Sequence, residues 1–529
     1  MLEGPKVKIR SDVFRNGFFA AVLAATPVTA AGIGDERALL YHVDQEQAGK
    51  GVIDIPTLID AGRRLFSVRF TNLDGGGRPL STGDGQPTRR AAGGEPFLQT
   101  TGPDSGSCAA CHNQPEAGGG GDFVVNAFSS AQNLNADTHT FSPALSNERG
   151  TTGMHGSGLI ELLAREMTNE MLAIRAAAIA EAANTGSPVR KELLTKGVYF
   201  GALIAQSNGD VNTDEVEGVG IDLVIRPWSQ KGVTISLRDF TIGAMNHHHG
   251  MQAVERYGMA QTGTRDFDHD LVVDELTAGD MTAIVLFQAS LAPPSQVIPD
   301  DPEFMAAVAR GGEVFEDIGC DMCHRTEMLL DSLMFVEPGP IAGLGTLSSS
   351  MVEFPVNADL GELAWAADLE RNVDGKYIIR PFTDLKRHVI SDEETPFFAN
   401  EQVVQGFRLQ PLPGPTAARR ASRTGAFSFS NVPKDAFLTR RLWGAGNSGP
   451  YGHRANLSTL NEAILMHGGE ARDQRLAYQA LGSYDRAAVI EFLLSWRIGA
   501  PLDPVATMDD PRNDPVTQRL IEFWQARAD

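Results

Sequence analysis

The chain has 529 residues, 42% of them hydrophobic and 21% charged, which is enough apolar content to bury a core and too much for wholesale disorder. Two to four domains are expected at that length. A formal net charge of −22 excludes the basic face that a nucleic-acid binder needs, and past the N-terminus no apolar run reaches the ~18 residues that cross a bilayer.

The N-terminus reads as an export signal. Lys6, Lys8, Arg10 and Arg15 are basic, Gly17 to Ala31 is uncharged and mostly apolar, and small-residue cleavage sequences end at Ala30 and Ala31. Residues 1–31 are expected to be removed, leaving a periplasmic or otherwise exported protein. Ala61-Gly62-Arg63-Arg64-Leu65-Phe66 then reads as the end of an amphipathic helix. A glycine-rich loop leads from it to Cys108-Ala109-Ala110-Cys111-His112. In such a string both thiols can add to the vinyl groups of one haem, and the adjacent imidazole can bind its iron. The run Gly118 to Gly121 lets backbone pass close to such a group. Glu161, Glu166 and Glu170, at helical spacing, read as a solvated face. His247-His248-His249 follows, and three consecutive side chains point in different directions, so at most two can face one centre. Asp280 to Leu291 reads as a helix with an acid in its first turn, stopped by Pro293-Pro294. The stretch Pro293 to Pro302 suits a linker and divides the chain into 32–298 and 299–529.

The second half repeats the first. Arg310 to Phe315 matches the helix before the first motif, and Cys320-Asp321-Met322-Cys323-His324 matches the motif itself. Asp331 to Pro413 reads as loop-rich. Asp280, Phe287 and Ser290 recur as Asp485, Phe492 and Ser495, each 205 positions on. The two motifs contain all four cysteines. A zinc ribbon spaces its pairs far closer than the 212 positions from Cys108 to Cys320, and a thioredoxin-type dithiol needs a βαβ setting. Two disulfides would leave the following histidine unexplained twice. Two covalently bound haem c groups are therefore expected, with His112 and His324 as proximal iron ligands. Helix, haem loop, variable segment and closing helix, occurring twice with a weak β signal, predict a mainly α fold. Its form would be two cytochrome c-like haem domains with long loop insertions and little β.

Three further stretches extend the pattern. They are Asn147 to Glu161, the pair Leu442-Trp443-Gly444 and Pro450-Tyr451-Gly452-His453-Arg454, and Thr459 to Glu470. With the two haem motifs in this order, the chain after residue 60 resembles the diheme cytochrome c peroxidase and MauG superfamily, in its diheme (thiol) oxidoreductase branch. Thr152 stands where the family's Arg-x-Thr-Pro has proline, and Arg454-Ala455 stands where its Pro-Tyr-x-His-Asp-Gly has Asp-Gly.

The resemblance implies two facing haem domains, often with a Ca2+ ion between them. One haem would be the site of peroxide or oxygen chemistry and the other an electron relay. His467, 14 positions after His453, would be the distal ligand of the second haem, with Met466 as the alternative. Trp228 is the candidate for the tryptophan that lies between the haems in known members. The distal side of the first haem is left open among His139, His155 and the triple histidine. His248 or His249 is the candidate acid–base group or sixth ligand, because the run follows Arg226 to Phe240, which is similar to the family segment leading to its distal acid. Arg149 would stabilise charge developing on a peroxide oxygen or pair with a haem propionate.

The implied function is that of a periplasmic diheme oxidoreductase of the peroxidase type. It would receive electrons from a small electron-transfer protein, a cytochrome c or cupredoxin, and use hydrogen peroxide or another small oxidant. Neither nucleic acid nor stable membrane insertion is expected. The alternatives are an electron carrier with both irons six-coordinate and a redox-sensing or assembly partner of a respiratory complex. The large insertions lean against the carrier.

Overall fold

Two helix pairs, each crossing at a glycine, frame the protein. The computed structural model describes residues 33–77, 105–126, 134–135, 140–141, 148–341, 353–399 and 432–498. The expected export signal and His139 lie outside these residues.

The Ile55–Ser67 helix starts where Asp54 accepts a hydrogen bond from Thr57 N, and Pro56 occupies its first turn, where no intrahelical donor is lost. It buries Leu58, Ala61, Leu65 and Phe66 and packs on the Ala278–Ser290 helix, which opens with a Thr277–Asp280 capping box. A Cβ on Gly62 would stand 1.9 Å from the Ala283 carbonyl oxygen, so the helices cross at backbone contact. The second pair repeats this. Pro302–Asp317, capped by Asp301, crosses Ser483–Leu494, and a Cβ on Gly311 would stand 1.9 Å from the Ala488 carbonyl oxygen. Phe66 meets Phe287 at 5.2 Å between ring centroids, and Phe315 meets Phe492 at 5.5 Å. Ser290 and Ser495 each donate to the carbonyl of the phenylalanine three residues earlier.

Gly62→Ala and Gly311→Ala should each lower the thermal midpoint. Overpacking costs about 1–3 kcal/mol, and the obstacle here is backbone that cannot rotate away. Gly482→Ala, where an added methyl meets nothing within 4 Å, should lower the midpoint far less, by no more than the weaker helix N-cap costs.

The expectation of a mainly α fold with little β does not hold. Among the described residues fifteen strands form seven small sheets, so the chain mixes helices with antiparallel ribbons. Val189–Thr195, Val198–Ala205 and Val211–Asn212 form an antiparallel meander. Gly121–Asn126 pairs with Glu148–Thr151, and Arg387–Val389 with Ala436–Leu438. Further pairs join Met328–Leu330 to Tyr377–Ile379 and Met334–Glu337 to Val356–Asp359, in the region that reads as loop by sequence. Such strands are short, and Val198–Ala205 is buried at nearly every position, so neither leaves a sustained alternation of apolar and polar residues. The expected linker also holds a strand, because Ser295–Gln296 pairs with Trp496–Arg497.

The 29-residue Ser157–Thr185 helix runs through one continuous core that includes Phe66, Phe287, Phe315 and Phe492. Glu161, expected on a solvated face, is buried inside that core. It accepts from Trp228 Nε1 at 3.1 Å, Leu237 N at 2.6 Å and Arg165 at 2.6 Å. Glu166 and Glu170 instead hold Lys196 Nζ at 2.6 and 3.1 Å. Among the described residues no helix is long and apolar enough to cross a membrane.

Candidate functional site

Each Cys-x-x-Cys-His string folds as one 3-10 turn. Cys111 N and His112 N donate to the Cys108 carbonyl at 3.1 and 2.9 Å, and His324 N donates to the Cys320 carbonyl at 3.0 Å. No disulfide joins the four cysteines. Burial, followed by the neighbouring cysteine or aspartate, pushes the Cys108 and Cys320 thiols up to about 12, so both are protonated. Both turns open on a single cavity of about 1430 Å³, larger than the ~300–1,000 Å³ of most ligand pockets.

The two histidines of the motifs are held in one tautomer. His112 Nδ1 donates to the Thr152 and Gly119 carbonyls at 3.1 and 3.3 Å, and His324 Nδ1 donates to the Phe382 carbonyl at 2.9 Å. A carbonyl oxygen can only accept, so Nδ1 carries the proton and Nε2 keeps its lone pair, as in a metal-binding histidine. Burial pulls both imidazoles down to about 4, which leaves them neutral at neutral pH.

A second histidine stands near each. The charge of His248 adds to the depression of His112, and that of His467 to the depression of His324. His467 is half-buried, and its Nδ1 donates to the Ala463 carbonyl at 2.8 Å, which again leaves Nε2 as the acceptor. His467 lines the cavity, whereas Met466 packs beside Phe398 and Phe437.

His247, His248 and His249 occupy a single π-helical turn, Met245–His249, a feature common at functional sites. Gly250 ends it at φ +75°, where a Cβ would stand 1.7 Å from the Gly77 carbonyl oxygen. All three histidines line the cavity. His249 Nδ1 donates to the Ser105 carbonyl at 2.7 Å, and its Nε2 lies 3.4 Å from Cys108 Sγ, so this ring is tied to the attachment cysteine. His155 is buried with Nδ1 on the Ala292 carbonyl at 3.0 Å. Arg149 and Trp228 also reach the cavity wall. Trp228 is fixed by Glu161 on its ring nitrogen and by the Arg441 guanidinium, 5.6 Å from its ring centroid.

Two groups of wall residues escape sequence reasoning. Burial pulls Arg441 down to about 9 and Arg440 to about 10, and Arg440 adds to the effect on its neighbour. No carboxylate of the described residues neutralises either, while Arg441 donates to the Gly153 carbonyl. Arg440 is exposed and Arg441 half-buried on the cavity wall, and two adjacent cations without a carboxylate partner among the described residues suit an anionic ligand. Their only sequence signal is a dibasic pair directly before Leu442-Trp443-Gly444, and such pairs are common on surfaces.

The second group is His388 with Asp384 and Glu470. His388 Nε2 lies 2.8 Å from Asp384 and Nδ1 lies 2.6 Å from Glu470. Burial works against the charged ring, but Asp384, with Cys323, outweighs it and pushes His388 up to about 11. An unfolded histidine titrates near ~6.5, so the imidazolium stabilises the fold fully below that pH, and the contribution is lost as pH rises through about 11. The thermal midpoint should therefore fall on alkaline titration, and Asp384→Asn should flatten that fall.

No protein-family model matches the chain, and no curated protein is similar to it. Among solved structures, Kuenenia stuttgartiensis hydrazine synthase, pressurised with 20 bar xenon, aligns over 93% of this chain and 100% of that chain, at 14% sequence identity and a TM-score of 0.31. A score that low establishes neither a common fold nor a common chemistry.

Proposed function

We propose that the chain is an exported diheme c-type oxidoreductase of the peroxidase type, in the diheme cytochrome c peroxidase and MauG superfamily. One observation carries this reading. Two Cys-x-x-Cys-His strings 212 positions apart open on one cavity, each with a second histidine near its own.

The residues present fit two haem c groups. Cys108 and Cys111 would attach one and Cys320 and Cys323 the other, with His112 and His324 as iron ligands. Arg440 and Arg441 supply the countercharge that the carboxylates of such a cofactor need. Bound haem supplies reversible one-electron chemistry, while the protein sets axial ligands, access and polarity.

His467, with its proton held on the Ala463 carbonyl, offers Nε2 as the second ligand that suits an electron relay. His248 or His249, both on the cavity wall, would take a proton from peroxide and return it, and His249 is also held by Ser105 and lies beside Cys108. Arg149, on the cavity wall, would bring positive charge to an oxygen gaining electrons or pair with a haem propionate. Trp228, held rigidly by Glu161 and Arg441, offers an aromatic ring on the wall of the cavity between the two halves. The acidic surface would steer a small basic electron-transfer protein.

The nearness of His248 to His112 also favours a second reading, a carrier with both irons six-coordinate. EPR of the ferric protein, repeated after partial reduction, separates the two. A high-spin signal altered by cyanide or peroxide is expected; low-spin signals indifferent to both would mean a carrier.

A further inference from the structure

The loop from Asp266 to Glu275 contributes nothing to the cavity wall. We propose that Asp266, Asp268 and Asp270, backed by Glu275, form a divalent-cation site of the calcium type that braces the histidine turn. The three aspartates alternate along the chain, and each offers one carboxylate oxygen within 4.8 Å of the others. Asp268 is 5% exposed, and its Oδ1 is buried with no hydrogen-bond partner. A carboxylate oxygen in that position needs a cation or a donor, and its neighbours are acids. Burial, then Asp270 and Asp266, push Asp268 up to about 7, and burial with Asp268 raises Glu275.

Backbone donors already hold the other carboxylates. Asp266 accepts from Asp270 N and Leu271 N at 3.1 and 3.2 Å, and Asp270 accepts from Val272 N at 2.7 Å. The adjacent guanidinium of Arg265 is paired with Asp274, so it does not neutralise the cluster. Every candidate ligand is oxygen, which selects a hard cation. Ca2+ accepts six to eight oxygens in flexible geometry, whereas Mg2+ demands a stricter octahedron. The cluster lies wholly in the first half of the chain, apart from any calcium between the halves.

Glu275 connects this loop to the cavity. It accepts from Gln252 N at 2.7 Å, two residues beyond the glycine that ends the histidine turn. A Cβ on Gly75 would stand 2.3 Å from Glu275 Cγ, and Gly77 N donates to the His249 carbonyl at 2.7 Å. Fixing Glu275 therefore fixes both segments that hold His247 to His249.

The test is calorimetric titration of the full-length, EGTA-treated protein with CaCl2, using wild type, Asp268→Asn and Asp266→Asn, with haem content assayed in each sample. The wild type should bind one more Ca2+ equivalent than either variant, or bind that equivalent at least about tenfold more tightly. Saturating Ca2+ should raise the wild-type thermal midpoint and leave that of Asp268→Asn unmoved. Without Ca2+, Asp268→Asn should melt no lower than wild type, because it removes a buried charge. Should Asp268→Asn fail to fold, the partly exposed Asp266→Asn decides the matter by the same missing equivalent. Isotherms shared by wild type and the folded variants, or no Ca2+ binding by wild type, would overturn the proposal. Full haem content without Ca2+ binding would sink the cation site alone, and Ca2+ binding without haem would sink the redox reading alone.

Discussion

Arg238→Ala should destabilise the protein by about 3–5 kcal/mol, the cost of leaving buried charges without their partner. Arg238 is 1% exposed. Its Nε and Nη2 bind the two oxygens of Glu255, each at 2.8 Å. Nη1 binds Glu337 at 2.7 Å and Thr282 at 3.0 Å, and Nη2 also donates to the Ala278 carbonyl at 2.8 Å. The substitution strands the Glu255 carboxylate and leaves Glu337 only Arg165, at 3.6 Å, at the centre of the core, where the Leu237–Ala244 helix meets the Ala278–Ser290 helix and the Met334–Glu337 strand. Burial already drives the Glu337 carboxyl upward, and without Arg238 it would rise further. A carboxyl raised in the folded state favours folding at low pH and loses that contribution as pH climbs through its folded value. The deficit of Arg238→Ala, read by urea unfolding, should therefore be smaller at acid pH than at alkaline pH. Arg238→Lys should recover little, since an ammonium cannot make the paired contact with Glu255.

His467→Ala should change the spin state of one of the two haem centres. The imidazole is half-buried, lines the cavity near His324 and has its Nδ1 proton committed to Ala463, so on the proposed reading its Nε2 would be the donor atom for the second iron. The variant should lose one low-spin signal and gain a high-spin signal of equal weight in EPR and in the optical spectrum, and added imidazole should restore the original. His248→Ala should leave that centre untouched and alter only the other. An unchanged spectrum in His467→Ala would mean that a different side chain binds that iron, despite the seating of Met466 among Phe398 and Phe437.

Chemistry that lives in contiguous residues is legible in the amino-acid sequence itself. Two five-residue strings stand out because cysteine occurs nowhere else in the chain. The repeated helices show because Phe66 with Phe287 and Phe315 with Phe492 pack in the same way, and because Asp280, Phe287 and Ser290 recur 205 positions on. His467 stands out by resemblance, and the fold brings it to the same wall as His324. What depends on contacts distant in sequence stays hidden. Strands of two to eight residues carry too little periodicity to be read, so the ribbons pass for loops. Glu161 fits a surface pattern by spacing, and only Trp228 and Leu237, 67 and 76 residues on, show it to be an internal acceptor. Arg440 and Arg441 look like ordinary surface basics until the fold sets them on the cavity wall. His388 gains its partners from Asp384, four residues before it, and from Glu470, 82 residues on.

The central claim is that both Cys-x-x-Cys-His strings carry covalent haem. Intact-mass spectrometry of the mature protein, expressed with a competent cytochrome c maturation system, tests it most directly. The polypeptide should weigh its chain mass plus two haems, and Cys108→Ser/Cys111→Ser should weigh one haem less. A mature chain bearing no haem, or one, would contradict the account.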